Sequence, residues 1–222
     1  MRMKKMVSLA LCLGLSLSLR SGCSDSSEPF AEKSYTPDAQ VREIRIEVED
    51  REIAVSPSED GQVHMQYAEN SKEFYDISVS ADNVLTMTSA SDKEWTDYVG
   101  VQSYDEGRKI SLQVPDAMLE NLTISTTNED ITVSGLTVNG TMDLTCNGGQ
   151  IAFENVGVGS ALRLTGKNGD ISGSVLGSMD DFAIQTEIKK GETNLPESTD
   201  GGEKTLYVSN NNGDVQIEFG NE

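Results

Sequence analysis

The sequence is poor in bases, in histidine and in aromatic side chains, and it has no apolar run of membrane-spanning length. Across 222 residues, 17 Lys and Arg face 37 Asp and Glu, a formal charge of −20. That balance excludes nucleic acid as a partner, because a polyanion needs a basic footprint. The one histidine, His64, leaves no material for a multi-histidine metal site and little for a histidine-based triad. Aromatics make up 5 % and hydrophobic residues 36 %. No catalytic residue, metal ligand or cofactor site emerges from this inventory.

What is present begins with an export pattern. Arg2, Lys4 and Lys5 precede Val7 to Leu19, an apolar stretch interrupted only by small residues. A transmembrane helix needs about 20 apolar residues, whereas a basic head with a shorter apolar stretch reads as a secretory signal over residues 1–22. Ser21, Gly22 and Cys23 resemble a bacterial lipobox, which implies a lipid on Cys23 as the mature N-terminus; Arg20 departs from that motif. Cysteine usage agrees. Of Cys12, Cys23 and Cys146, the first lies in the signal, and a lipidated Cys23 leaves Cys146 without a disulfide partner. Removing Arg2, Lys4, Lys5 and Arg20 takes the bases from 17 to 13 against 37 acids, a net charge of −24. Such a surface does not rest on anionic lipid by charge, so membrane retention requires the acyl chain, palmitate or its equivalent. Residues 23–40 read as a flexible tether, since Ser24 to Pro29 and the sparse apolar content beyond cannot build a core.

From Val41 onward the pattern is alternation of period two: Ile44, Ile46, Val48; Ile53, Val55; Val63, Met65, Tyr67; Leu85, Met87; Ile110, Leu112, Val114. Each is a strand with one buried face. The C-terminal half also repeats. Ile131, Ile151, Ile171, Thr193 and Val215 align at steps of 20, 20, 22 and 22 residues. Nine positions upstream stand Leu122, Met142, Leu162, Ile184 and Leu206. Four of the five copies carry glycine two positions before the aligned residue: Gly149, Gly169, Gly191 and Gly213. A unit of this length cannot bury its apolar face alone, so copies stack. The expected fold is all-β, a right-handed single-stranded parallel β-solenoid over residues 115–222 with a less regular β portion over residues 41–114. On this reading Val215 to Phe219 forms an open end of the stack, and the net charge keeps the protein monomeric.

Thr127-Asn128-Glu129-Asp130-Ile131, Lys167-Asn168-Gly169-Asp170-Ile171 and Asn211-Asn212-Gly213-Asp214-Val215 resemble the repeated phrase of a bacterial family of putative adhesins, a domain of unknown function. Lys109 to Pro115 is similar to the strand and proline that open that family's repeats. The resemblance covers about Val41 to Phe219. It implies an exported β-helix and, by the family's label, adhesion; it transfers no catalytic motif.

Four features are weighed as sites. The turn row Asp130, Gln150, Asp170, Glu192 and Asp214 offers hard oxygens to calcium, but the strict calcium repeat is absent and Gln150 breaks the row, which favours turn chemistry on a solvated edge. Cys146 lacks an evident base and lies in an inward column, which fits a buried thiol rather than a nucleophile. His64 alternates with Val63 and Met65 and points outward. Asp92 to Gly107 interrupts the strands and carries Trp95, Tyr98 and Tyr104, three of the twelve aromatics and the sole tryptophan. These either plug the stack or form the candidate ligand-binding surface. The resulting expectation is a lipid-anchored, non-enzymatic adhesion or binding module of the bacterial envelope, on the extracytoplasmic face, whose ligand is a glycan or an envelope protein. The alternatives are a structural or regulatory accessory lipoprotein and a polysaccharide-acting β-helix enzyme.

Overall fold

A computed structural model describes residues 28–91 and 106–220. The chain is all-β, and among the described residues the only helices are single turns of 3-10 helix at Glu106–Arg108 and Met179–Asp181. Seventeen strands follow one another: β1 Ala31–Tyr35, β2 Glu43–Glu47, β3 Glu52–Pro57, β4 His64–Glu69, β5 Glu73–Val79, β6 Val84–Ser91, β7 Lys109–Val114, β8 Asn121–Thr126, β9 Ile131–Ser134, β10 Thr137–Val138, β11 Thr141–Cys146, β12 Ile151–Val158, β13 Ala161–Gly166, β14 Ile171–Leu176, β15 Phe182–Ile188, β16 Lys204–Asn210 and β17 Val215–Gly220.

Among the described residues these form two sheets. One runs β1-β4-β7-β3-β9-β12-β14-β17, with β10 beside β12; the other runs β15-β16-β13-β11-β8-β2-β6-β5. The repeat alignment is the hydrogen-bonded register. Ile53, Ile131, Ile151, Ile171 and Val215 stand in one parallel column. Leu85, Ile44, Leu122, Met142, Leu162, Leu206 and Ile184 stand in the other. One continuous apolar core contains both columns, and most of its members are fully buried. Period-two alternation places these residues on the inner face of each sheet, so every layer adds its apolar face to the same core.

Three expectations need correction. First, the sheets are mixed rather than purely parallel. β5 pairs antiparallel with β6, β4 with β7, and β1 with β4. The first of these is a hairpin closed by the Ser80 to Val84 turn, in which Asn83 takes a positive φ of 62°. Second, the layers are not stacked in chain order. The fifth repeat copy lies against the third, through β16 on β13 and β17 on β14, and the fourth copy lies outside the fifth. The fourth copy has threonine where the others have an aliphatic residue, and in place of a second strand it makes one isolated bridge, Thr193 to Val215. It is a poor template for a further layer, so the first strand of the fifth copy, β16, takes the place between β13 and β15. In the other sheet β17, Val215–Gly220, remains the terminal strand as expected, its outer edge met among the described residues only by the Thr193 bridge and the Asn194 side chain at Ile217, while the outer edge of β15 is covered by backbone bonds from Thr186 to Glu197 and from Thr199 to Ile184. Third, Ala31–Tyr35, assigned by composition to the flexible tether, is an edge strand on β4. Its backbone pairs, while of its side chains only Tyr35 is partly buried, against the core. The stack passes from β3 to β9 without a break at residue 114.

Candidate functional site

The row of turns joining the two sheets is built from stacked polar side chains. Outside, Asp130 Oδ1 accepts from the Gln150 N–H at 2.7 Å, Asp170 Oδ1 from Asp214 N–H at 2.8 Å, and Asp214 Oδ1 from Glu192 N–H at 2.8 Å. Each of these carboxylates thus ties its own turn to the next layer. Asp50 does the same with side chains, accepting from the Thr127 hydroxyl and the Asn128 amide. This is the turn-chemistry role. Among the described residues no group of three or more Asp, Glu, His or Cys converges as a metal site.

Inside the same turns runs a second ladder. The Thr126 hydroxyl donates to the Arg51 carbonyl at 2.8 Å. Cys146 Sγ donates to the Glu129 carbonyl and accepts from the Gly149 N–H, both at 3.1 Å. The Asn210 amide donates to the carbonyls of Gly169 and Gly213 at 3.0 and 3.1 Å. Cys146 is buried, and desolvation pushes its thiol above the ordinary value. It is a packed, hydrogen-bonded group, as its inward column implied, and among the described residues no base is hydrogen-bonded to it. Gly166 keeps this column open, since a side chain there would stand 2.6 Å from Asn210 Oδ1.

At the other end of the row sits a cluster that the sequence did not disclose. Arg51 is buried in the turn between β2 and β3. Its guanidinium donates to the Tyr75 hydroxyl at 2.5 Å, to Glu73 Oε2 at 2.7 Å, and to the carbonyls of Glu49 and Asp50. It lies over the rings of Phe30 and Tyr75, 5.7 and 5.8 Å from their centroids. Tyr67 meets Tyr75 edge to face at 5.4 Å. Burial pushes the Tyr75 hydroxyl above its ordinary value, against the pull of Arg51. An arginine in an acidic turn reads as surface. It is covered by β5, 22 to 24 residues further along, and by the Phe30 ring.

This cluster holds both ends of the aromatic segment. On one side, Ser91 at the end of β6 pairs with Glu73. On the other, Arg108 comes within 4.0 Å of the same Glu73, and Gly107 packs so closely under Phe30 that a Cβ there would lie 2.7 Å from the Phe30 Cβ. Trp95, Tyr98 and Tyr104, like Cys23, lie outside the described residues. His64 is half-buried on the rim of β4. Its Nε2 sits 2.9 Å from both Asp60 oxygens and its Nδ1 3.0 Å from the Thr36 hydroxyl. The His64 contact holds the Asp60 carboxyl below the usual carboxylate range.

Residues 41–221 match the Toastrack DUF4097 family over most of the chain. The chain belongs to the Toastrack DUF4097 family. The Toastrack chain is similar in fold to a putative cell adhesion protein from Clostridium sporogenes, with a TM-score of 0.60 and 12 % identity over 86 % of this chain and 100 % of that one. It also aligns with a putative adhesin from Bacteroides fragilis at 14 % identity over 86 % of this chain and 98 % of that one, with a TM-score of 0.32. No curated protein matches it in sequence. At these identities the likeness is one of fold. Among the described residues of this Toastrack protein, no helix is long and apolar enough to cross a membrane.

Proposed function

We propose that this Toastrack protein is a non-catalytic binding or adhesion module, tethered by a lipid on Cys23 to the extracytoplasmic face of a bacterial membrane, and that the segment bearing Trp95, Tyr98 and Tyr104 receives its ligand, a glycan or an envelope protein. The observation that carries this reading is the anchoring of that segment. Glu73, Arg51, Phe30 and Gly107 fix its two ends on a rigid, hydrogen-bonded stack, which is how folds present recognition loops. Aromatics in such a setting offer large contact area at low entropic cost. The description of the Clostridium neighbour as a putative cell adhesion protein agrees with it. The absence of catalysis is part of the proposal, supported by the engagement of three turn carboxylates with backbone N–H groups. The central parallel layers coil, on this reading, as a short right-handed β-solenoid, the hand that parallel crossovers adopt, and the protein is monomeric.

Two variants test it together. Trp95→Ala should abolish adherence to cells or purified envelope glycan while leaving the thermal midpoint within about a degree of the parent, the result expected of a side chain that serves the ligand rather than the core. Cys23→Ala should release soluble protein from the membrane fraction. A large fall in the midpoint of Trp95→Ala would assign the segment to packing. Unchanged adherence, unchanged fractionation or tight end-to-end oligomers would overturn the corresponding part of the reading.

A further inference from the structure

Three lysines gather at the end of the turn row far from Arg51. Lys167, Asn168, Asn211, Asn212, Lys189 and Lys190 line an open cleft of about 360 Å³. Its order is set by the exchanged layers. The Gly169 N–H donates to the Asn212 carbonyl at 3.0 Å, and the Gly213 N–H to the Lys190 carbonyl at 3.0 Å. The layer of Asn211 and Asn212 is thus sandwiched between the layer of Lys167 and that of Lys189 and Lys190. In chain order the two lysine layers would be adjacent. In the folded protein they are two strand spacings apart, roughly 10 Å.

Many of the other described bases of the stack have a partner. Lys33, Arg42, Arg45, Arg51 and Lys109 each hold a carboxylate, Arg163 lies against Asp143, and Lys204 sits over the Phe182 ring. Among the described residues the ammonium groups of Lys167, Lys189 and Lys190 form no ion pair, although acids outnumber bases 37 to 17. Of the acids on the row in these layers, Asp170 and Asp214 each direct an oxygen at a backbone N–H, and Glu192, two residues after Lys190, forms no ion pair with it. A local positive cleft on a strongly negative molecule selects its partner by shape. A flat anionic bilayer must also face the acidic surroundings, whereas a thin chain engages the cleft alone, with the remaining charge screened beyond about 10 Å.

We infer that this cleft binds an acidic polysaccharide, with the two lysine layers contacting anionic groups and the intervening asparagines contacting sugar hydroxyls. An ammonium is a point-charge donor, suited to a carboxylate or a sulfate, and an amide both donates and accepts, suited to a hydroxyl. The alternation of charged, neutral and charged layers matches a chain whose anionic groups are separated by hydroxyl-bearing units. The site is independent of the aromatic segment and of Cys23.

The test uses the full chain and, as probe, an oligogalacturonate, with its fully methyl-esterified form as the uncharged control, in an equilibrium titration at low and physiological salt. The expected result is saturable binding to the charged probe that weakens with salt, and negligible binding to the ester. Lys167→Gln, Lys189→Gln and Lys190→Gln together should weaken it at least tenfold at an unchanged thermal midpoint, Asn211→Ala with Asn212→Ala should weaken it less, and Trp95→Ala should leave it intact. Absence of binding by the parent, equal binding by the triple variant, or equal binding of the ester would overturn the inference. So would phosphatidylglycerol vesicles that bind as strongly as the oligosaccharide, which would assign the cleft to a lipid surface. Loss of binding in Trp95→Ala alone would transfer the glycan to the aromatic segment.

Discussion

Gly169 is the sharpest test of the stacked turns. Its φ is +133°, outside what L side chains readily adopt, and a Cβ there would press into the Gly149 carbonyl of the adjacent layer, closer than the 3.0 Å that real Cβ atoms respect. Two other glycines separate these effects. Gly61 has a φ of +72° with nothing within 4 Å of a Cβ, so Gly61→Ala measures backbone strain alone. Gly149 is absent from the positive-φ positions, yet its Cβ would collide with the Glu129 carbonyl, so Gly149→Ala measures the close approach alone. Left-handed strain costs about 1–2 kcal/mol and overpacking about 1–3 kcal/mol, so Gly169→Ala should lose about 2–5 kcal/mol. For a domain of this size 1 kcal/mol shifts the midpoint by roughly 2–4 °C. Thermal unfolding followed by circular dichroism should therefore rank the variants with Gly169→Ala lowest. A Gly169→Ala protein no less stable than Gly61→Ala would refute the packed turn column.

Further expectations concern other layers. Arg51→Ala should destabilise by about 3 kcal/mol, the scale for orphaning a buried charge partner, read as a lower urea midpoint; an unchanged midpoint would remove the anchor from the account. Asn210→Ala leaves the Gly169 and Gly213 carbonyls without their donor and should cost about 1–3 kcal/mol by the same measurement. Desolvation holds the half-buried Asp143 carboxyl above its ordinary value, ahead of the opposing pull of Arg163. The folded state then binds its proton more tightly than the unfolded chain, so this residue's contribution to stability falls as pH rises from the unfolded value through the folded one. Asp143→Asn should stabilise at pH 7 and show no gain well below pH 4, as read from midpoints across pH. For Asp60, whose carboxyl is held low by His64, the sign reverses. Its contribution is present above the unfolded value and lost in acid, so Asp60→Asn should flatten the acid limb of the same profile.

Much of this arrangement was legible in the sequence because strand alternation and turn glycine leave fixed periods. The columns through Ile131 and Leu122, the inward Cys146 and the bracing role of the turn acids all follow from the 20- to 22-residue alignment. The order of layers was not legible, because the alignment shows Thr193 in an otherwise aliphatic column but does not say which copy pairs with the third. In the fold β16 of the fifth copy pairs with β13, Thr193 making a single bridge where Val215 begins β17. The lysine cleft follows from that exchange and was hidden with it. The antiparallel edge was missed because Tyr67 and Ile77 alternate in the same way in either strand direction. Arg51 was missed because its partners Glu73 and Tyr75 reach it through the β5–β6 hairpin rather than through the repeat.

Trp95 is the sole tryptophan, so its fluorescence reports on the proposed binding segment without labelling. The most direct test is a titration of the full-length protein with solubilised envelope glycan fragments, followed by tryptophan emission and acrylamide quenching alongside an independent adherence assay. The account predicts a saturable blue shift and reduced quenching over the concentrations at which adherence saturates. Adherence that saturates while the emission and quenching of Trp95 stay unchanged would contradict it.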